Sequence, residues 1–302
     1  MHFDEQKPLD IVLNDLFEQY SKHVADVSKI TNALLEKAVI NAQEDIVNDH
    51  IAFRTLGVPH LGIQSFEKIF LAYGYQRRDH YYFEAKKLDA YWYAPPAAHY
   101  PRIFVSELQV EALSEEAQQI IHRYTDDITS DPVLELDLAD GAAVAAFLQR
   151  PLWSLPTAND YERLLQESEY AAWVIYNRYY LNHYTISIHE LKDGYNTLEE
   201  FNAFLENIGI KLNSSGGKIK TSADGLLRQS STVSALYDAT FADDRILQIA
   251  GSYVEFAERL PLPKFQHLGK EELQPAHRRE GFEANNADKI FESTYTQQIN
   301  KK

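Results

Sequence analysis

Cysteine is absent from all 302 residues of the chain. Disulfides, thiolate metal sites, iron–sulfur clusters and cysteine nucleophiles are therefore excluded, and any metal has to sit on histidine and carboxylate. Positive charge is scarce: 29 Lys and Arg stand against 45 Asp and Glu, a formal net charge of -16. No basic stripe with interleaved aromatics occurs, so nucleic acid is not an expected partner, because phosphate binding needs neutralising Lys and Arg. No apolar run approaches the roughly 20 residues of a membrane-spanning helix. The opening MHFDEQKPLD lacks the charged-then-apolar pattern of a signal peptide, and the expectation is a cytoplasmic protein with no membrane partner.

What the chain has in quantity is apolar and aromatic: 45% hydrophobic residues, with 19 Tyr and 15 Phe. That suffices for a sizeable core, expected as a single compact catalytic domain over 1–302. The aromatics are read as core and cleft lining.

N-terminal helices are expected within 1–45, where Ile11, Leu13, Leu16, Phe17, Tyr20, Val24, Val27, Ile30, Leu34 and Leu35 recur at helical spacing. Residues 46–111 read in the order β, α, β, β, β. DHIAFRTLG is strand-like and GIQSFEKIFLAYGY helical, and two aromatic, β-branched segments follow, broken by Pro95 and Pro96. A helical insertion over 112–180 contains EEAQQIIHRY, GAAVAAFLQR and DYERLLQESEYAAWVIYNRYY, with Asn159 or Asp160 as the cap of the last. Over 181–260 the first order returns: NHYTISIHEL as strand, LEEFNAFLENIGI as helix, then GGKIKTS, TVSALYDATFA and ILQIAGSYVEFAERL as strands. Two βαβββ units thus repeat although their residues have diverged. A tail over 261–302, with a short helix in ADKIFEST, is expected to dock near the cleft.

Alternate residues of a strand share a face. His50, Ala52 and Arg54 therefore point one way, as do His183, Thr185, Ser187 and His189, and as do Gly251, Tyr253 and Glu255. Each unit opens with a strand whose polar face is headed by a histidine, turned toward a shared cleft. Glu107 follows His50 by 57 residues and Glu255 follows His183 by 72, each on the last strand of its unit. Two imidazoles and one carboxylate leave about three positions of an octahedral ion open, the arrangement of non-haem iron oxygenases. These four residues can serve at most one site, and spacing does not choose between Glu107 and Glu255. A lone strand histidine is ordinarily a hydrogen-bonded core or surface group. Its recurrence at matched places, each time with a downstream glutamate, is what brings the metal reading level with that one.

His189, six residues past His183, would lie about 20 Å along the strand, too far to share an ion. Arg54, about 13 Å from His50 on the same face, reads either as a clamp for an anionic substrate or as an ordinary ion pair with one of the many acids. His2, His23, His60, His80, His99, His122, His267 and His277 are expected in helices, loops or tails as solvated groups.

The runs NDHIAFRT, NHYTISIH, GSYVEFAERL and ADKIFEST resemble the 2-oxoadipate dioxygenase/decarboxylase family, over residues from about 10 to 296. The first-strand His-x-x-x-Arg pair is the most specific part. The resemblance implies an α+β fold of paired βαβββ modules, a half-barrel similar to the vicinal oxygen chelate superfamily. It implies Fe(II) on His50, His183 and Glu255, favouring Glu255 over Glu107. It implies substrate held against His50, Arg54, Asn285 and Asn286, with Arg54 as the gripping residue. The implied reaction takes 2-oxoadipate and O₂ to 2-hydroxyglutarate and CO₂, a step in lysine breakdown. Two other readings compete. One is a different metalloenzyme on the same scaffold, an isomerase, lyase or extradiol dioxygenase, which would enlist Glu107. The other is a non-catalytic protein that sequesters a small acid.

Overall fold

A computed structural model describes residues 3, 4 and 7–301; His2 lies outside the described residues. The chain opens with α1 (Pro8–His23) and α2 (Ala25–Glu36). Pro8 is tolerated in the first turn because the amide it lacks has no intrahelical partner there. Leu9, Val12, Leu13, Leu16, Phe17 and Tyr20 form the buried stripe of α1, and Phe17 and Tyr20 meet Tyr184 edge-on at 5.2 and 5.6 Å. Tyr184 is on the strand face opposite His183, so these helices cover the back of the sheet.

The first unit comprises β1 (Asn48–Leu56), α3 (Ile63–Ala72), β2 (Gln76–Phe83), β3 (Leu88–Ala94) and β4 (Arg102–Leu108). Four inserted helices follow: α4 (Glu115–Thr125), α5 (Gly141–Gln149), α6 (Ala158–Glu167) and α7 (Glu169–Asn177). The run expected as one helix capped by Asn159 or Asp160 is two. Thr157 caps α6 by accepting from the Asp160 amide, and Ser168, in extended conformation, ends α6 and caps α7.

The second unit has β5 (His183–Ser187), α8 (Leu198–Asn207), β6 (Lys220–Thr221), β7 (Leu227–Ser231), β8 (Leu236–Thr240), β9 (Ile246–Ala250) and β10 (Tyr253–Arg259). The tail carries α9 (Ala284–Ile290) and α10 (Thr296–Ile299). Among the described residues no helix is long and apolar enough to cross a membrane.

One eight-stranded sheet runs β2-β3-β4-β1-β5-β10-β7-β6. Its centre is the antiparallel pair β1 and β5, the two first strands, and each is flanked by its own unit's last strand running parallel to it, β4 beside β1 and β10 beside β5. The units are thus related by an approximate two-fold between β1 and β5. TVSALYDATFA and the start of ILQIAGSYVEFAERL form a separate hairpin, β8 with β9, outside this sheet. The strand that belongs beside β10 is β7, in LRQSS, which no apolar alternation marks because Gln229, Ser230 and Ser231 are buried polar groups.

Candidate metal centre

Strand register sets the three ligand-type residues in two adjacent rows. Across β1 and β5, His50 is opposite Thr185 and Ala52 opposite His183. Across β5 and β10, Thr185 is beside Glu255 and His183 beside Tyr253. One atom from each of His50, His183 and Glu255 lies within 4.8 Å of the others, and all three are buried. His183 Nε2 is 3.1 Å from Glu255 Oε2, and His50 Nε2 is 3.5 Å from Oε1.

Each imidazole is oriented by the residue before it. Asp49 Oδ2 accepts from His50 Nδ1 at 2.8 Å, and Asn182 Oδ1 accepts from His183 Nδ1 at 3.0 Å. An oxygen acceptor at Nδ1 holds the proton there and turns the Nε2 lone pair inward, which is what an ion needs. The recurrence of Asx before His, in Asp49-His50 and Asn182-His183, is present in the sequence but is not singled out by strand alternation.

Burial opposes ionisation of Glu255, yet His50 and His183 outweigh it and bring the carboxyl down to about 2. Burial holds His183 below its ordinary value and so neutral. Burial also pulls His50 down, but Glu255 and Asp49 raise it overall. Asp49, despite burial, is held well below the carboxylate range by Arg259 and Arg102. Arg259 Nε and Nη2 grip its two oxygens at 2.6 and 2.8 Å. Two inward Nε2 atoms and an ionised carboxylate fit a divalent ion that accepts nitrogen and oxygen ligands.

Arg54 is buried on the same face. Nη1 donates to Thr294 Oγ1 at 3.0 Å and Nη2 to the Phe291 carbonyl at 3.1 Å, both in the tail. The rings of Tyr170, Trp173 and Phe291 lie 5.1, 5.2 and 5.7 Å from the guanidinium. Among the described residues no carboxylate pairs with it, so the ordinary ion-pair reading does not hold. Among the described residues its Nε, the Tyr253 hydroxyl and Asn182 Nδ2 make no hydrogen bond of ordinary geometry, although Arg54 acts on the Tyr253 hydroxyl electrostatically. All three residues line one pocket with His50, His183 and Glu255. Burial raises the Tyr253 hydroxyl's pKa, with Arg54 opposing, so it stays protonated as a donor. Spare buried donors around an uncompensated guanidinium are satisfied by an oxygen-rich anion.

Glu107 is not at this site. In the parallel register of β1 and β4 it lies beside Thr55, on the opposite face, and the residue matching Glu255 across the pseudo-two-fold is Phe104, beside Ala52. Glu107 accepts the Ile63 amide at 2.6 Å at the start of α3, where an acid suits the helix N-terminus. Gly62 next to it has φ +77, and a Cβ there would collide with that carboxylate. Asn285 is exposed and does not reach the pocket, because α9 turns Ala287 and Ile290 inward and carries Asn285 away to solvent. Asn286 is buried but bonds Gln229 and the Leu227 carbonyl, one layer behind the lining. Gln229 and Phe282, which the sequence reading did not single out, do line the pocket, and Phe282 packs on the His50 ring at 4.7 Å.

His189 is also apart from the centre. The strand ends at Ser187, and a tight turn over Ile188–Glu190 takes His189 to the Arg259 amide, whose N–H it accepts at 3.2 Å. Burial, aided by Arg278, holds it down to about 3. The folded pKa lies below the unfolded value, so the unfolded state takes the extra proton and stability falls as pH drops from about 6.5 toward 3. His189→Gln is expected to shrink the stability difference between pH 7 and pH 5 by about 2 kcal/mol, read by urea unfolding at both. An unchanged difference would refute this. Of the other histidines, His23, His60, His80, His99 and His267 are exposed, and His122 and His277 are half-buried.

The chain is similar to proteins of one family along most of its length. The sequence profile of a family described as 2-oxoadipate dioxygenase/decarboxylase matches residues 12–271. A relative from Arabidopsis thaliana, named 2-oxoadipate dioxygenase/decarboxylase, chloroplastic, is 44% identical over 270 residues, 86% of this chain and 71% of that protein. A crystal structure of hydroxyglutarate synthase from Oryza sativa in complex with 2-oxoadipate superposes with a TM-score of 0.86 at 41% identity, covering 96% of this chain and 93% of that one. A glyoxalase superfamily protein from Ralstonia eutropha, at 20% identity and TM-score 0.69 over 94% of this chain and 90% of that one, shares the fold.

Proposed function

The chain belongs to the 2-oxoadipate dioxygenase/decarboxylase family, and we propose that it converts 2-oxoadipate and O₂ to 2-hydroxyglutarate and CO₂, as a step in lysine breakdown, with Fe(II) on His50, His183 and Glu255. The reaction balances without an external reductant, because the substrate supplies electrons as it loses its C1 carboxylate. The observation that carries this reading is the pairing, in one buried pocket, of three ligand atoms within 4.8 Å with a guanidinium that meets no carboxylate among the described residues.

When bound, Fe(II) supplies O₂ activation and a Lewis-acidic anchor for the C1 carboxylate and keto oxygen. The chain's own residues do the rest. Asp49 and Asn182 hold the Nδ1 protons of the two imidazoles, so both rings stay aimed. Arg54 takes the distal carboxylate, with its position set by Thr294, Phe291 and the rings around it. Phe104, Phe282, Ile290 and Phe291 keep water from the reacting carbon. The isomerase or extradiol reading loses the fourth ligand it would draw on, since Glu107 is engaged at α3.

The Tyr253 hydroxyl, spare and buried, is read as a second donor to the substrate's anionic end. A buried hydroxyl with no partner costs stability, while a bond from it to a charged group is worth about 1.5–3 kcal/mol. Tyr253→Phe should therefore raise KM for 2-oxoadipate roughly 10- to 100-fold and leave the metal-free Tm unchanged or higher. A lowered Tm with unchanged KM would make Tyr253 a structural group.

The reaction itself is tested by loading Fe(II) anaerobically, adding 2-oxoadipate and then air enriched in ¹⁸O₂, and reading products by mass spectrometry. Labelled 2-hydroxyglutarate with one CO₂ per O₂ consumed is expected. Neither product forming would sink the proposal.

A further inference from the structure

Asn286 lies outside the pocket yet is 1% exposed, and its contacts run toward the metal-centre carboxylate. Asn286 Nδ2 is 3.3 Å from the Leu227 carbonyl and 3.0 Å from Gln229 Oε1, and Gln229 Nε2 is 2.7 Å from Glu255 Oε1. The polarity of this chain has one self-consistent assignment. A backbone carbonyl can only accept, so the Asn286 atom facing Leu227 is its amide nitrogen. The same nitrogen faces Gln229, which must answer with its oxygen. That turns the Gln229 N–H groups toward Glu255, which as a carboxylate can only accept.

We propose, resting on the reading that His50, His183 and Glu255 hold the ion, that Asn286 is a positioning residue: it fixes the amide of Gln229 so that an N–H holds Glu255 Oε1 and leaves Oε2, the oxygen nearer His183, to the ion. The carbonyl of Leu227 sets the polarity at one end, and the relay passes it through two side-chain amides to the ligand. Helix α9 of the tail thereby acts on the metal centre through hydrogen bonds as well as through Ala287 and Ile290, which line its pocket. Such buried chains reinforce each link, and reversing one member leaves two acceptors facing each other.

Asn286→Asp makes that reversal at nearly constant shape. Its carboxylate draws the Gln229 N–H to itself and turns the Gln229 oxygen onto Glu255. The probe is Co(II) added to the full-length protein after chelator treatment, with affinity read from the visible absorption of the bound ion. Wild type is expected to bind one Co(II), and His183→Ala to abolish that binding. Asn286→Asp should weaken binding roughly 10- to 100-fold, as loss of an outer partner does. Asn286→Ala should weaken it only several-fold, because Glu255 alone still attracts the Gln229 N–H. A plain charge effect has the opposite sign, since a further carboxylate near a cation tightens binding. In a Gln229→Ala background the penalty of Asn286→Asp should vanish.

Co(II) binding by Asn286→Asp as tight as wild type or tighter, or a penalty that survives Gln229→Ala, overturns the relay. If wild type binds no Co(II), or His183→Ala binds it unchanged, the metal-centre reading fails instead. The metal-free Tm is measured for every variant, because a merely structural Asn286 would lower it without changing affinity. Should Asn286→Asp not fold, Asn286→Ala decides: a several-fold loss supports the relay and unchanged affinity ends it.

Discussion

Glu255→Ala is expected to remove metal binding and turnover together. Glu255 supplies the single carboxylate of the group, and its ionisation is what the two buried imidazoles face. An outer partner costs roughly 10- to 100-fold in metal affinity, and loss of a ligand itself should exceed that range. Glu255→Gln should fare no better, because the amide keeps the shape but not the charge. Glu107→Ala is the control: its carboxylate caps α3 on the other side of the sheet, so metal affinity should stay within about twofold while the unfolding free energy falls by an amount typical of a lost cap, about 1 kcal/mol. Metal content after equilibrium dialysis reads all three. Were Glu107→Ala to lose the metal and Glu255→Ala to keep it, the assignment would be reversed.

Arg54→Ala is expected to separate substrate binding from metal binding. Truncating one member of a buried charge pair costs about 2–5 kcal/mol, so KM for 2-oxoadipate should rise on the order of 10²-fold or more, with metal affinity little changed. Arg54→Lys should not restore it, because an ammonium cannot reproduce the planar fork that Thr294 and the Phe291 carbonyl now hold. A 2-oxo acid of the same length without the distal carboxylate should be indifferent to either change. If metal loading fell and substrate affinity did not, Arg54 would belong to the scaffold and not to the substrate.

Much of the fold was legible because period-2 and period-3.6 patterns report which face is buried. The spacing of Leu13, Leu16, Phe17 and Tyr20 marked α1, and the alternation in DHIAFRTLG and NHYTISIH marked β1 and β5 with a histidine leading each. Elements whose buried face is polar were not legible. β7 is LRQSS, and its inward Gln229 meets another polar side chain, so no apolar rhythm announces it. The β8–β9 hairpin, rich in apolar residues, imitated the core strand that β7 is. On the site, alternation put His50 and Arg54 on one face and Tyr253 and Glu255 on another, but could not show that Asn285 faces solvent, because a helix's rotation is set by what it packs on.

Taken alone, the sequence determined the chemistry that was possible. With no thiol and few cations, it offered histidine and carboxylate on strand faces, repeated once per unit, with an arginine on the face of the first. Which of those side chains meet was decided by strand pairing. β5 lies against both β1 and β10, which puts His50, Thr185 and Glu255 in one row, whereas the register of β4 on β1 gives Phe104 the matching place and sends Glu107 to the other face. The physical reason is that alternation is a local property of one strand, while register and neighbour order depend on hydrogen bonds between residues 52 to 138 positions apart, and a shift of one residue would exchange the two faces.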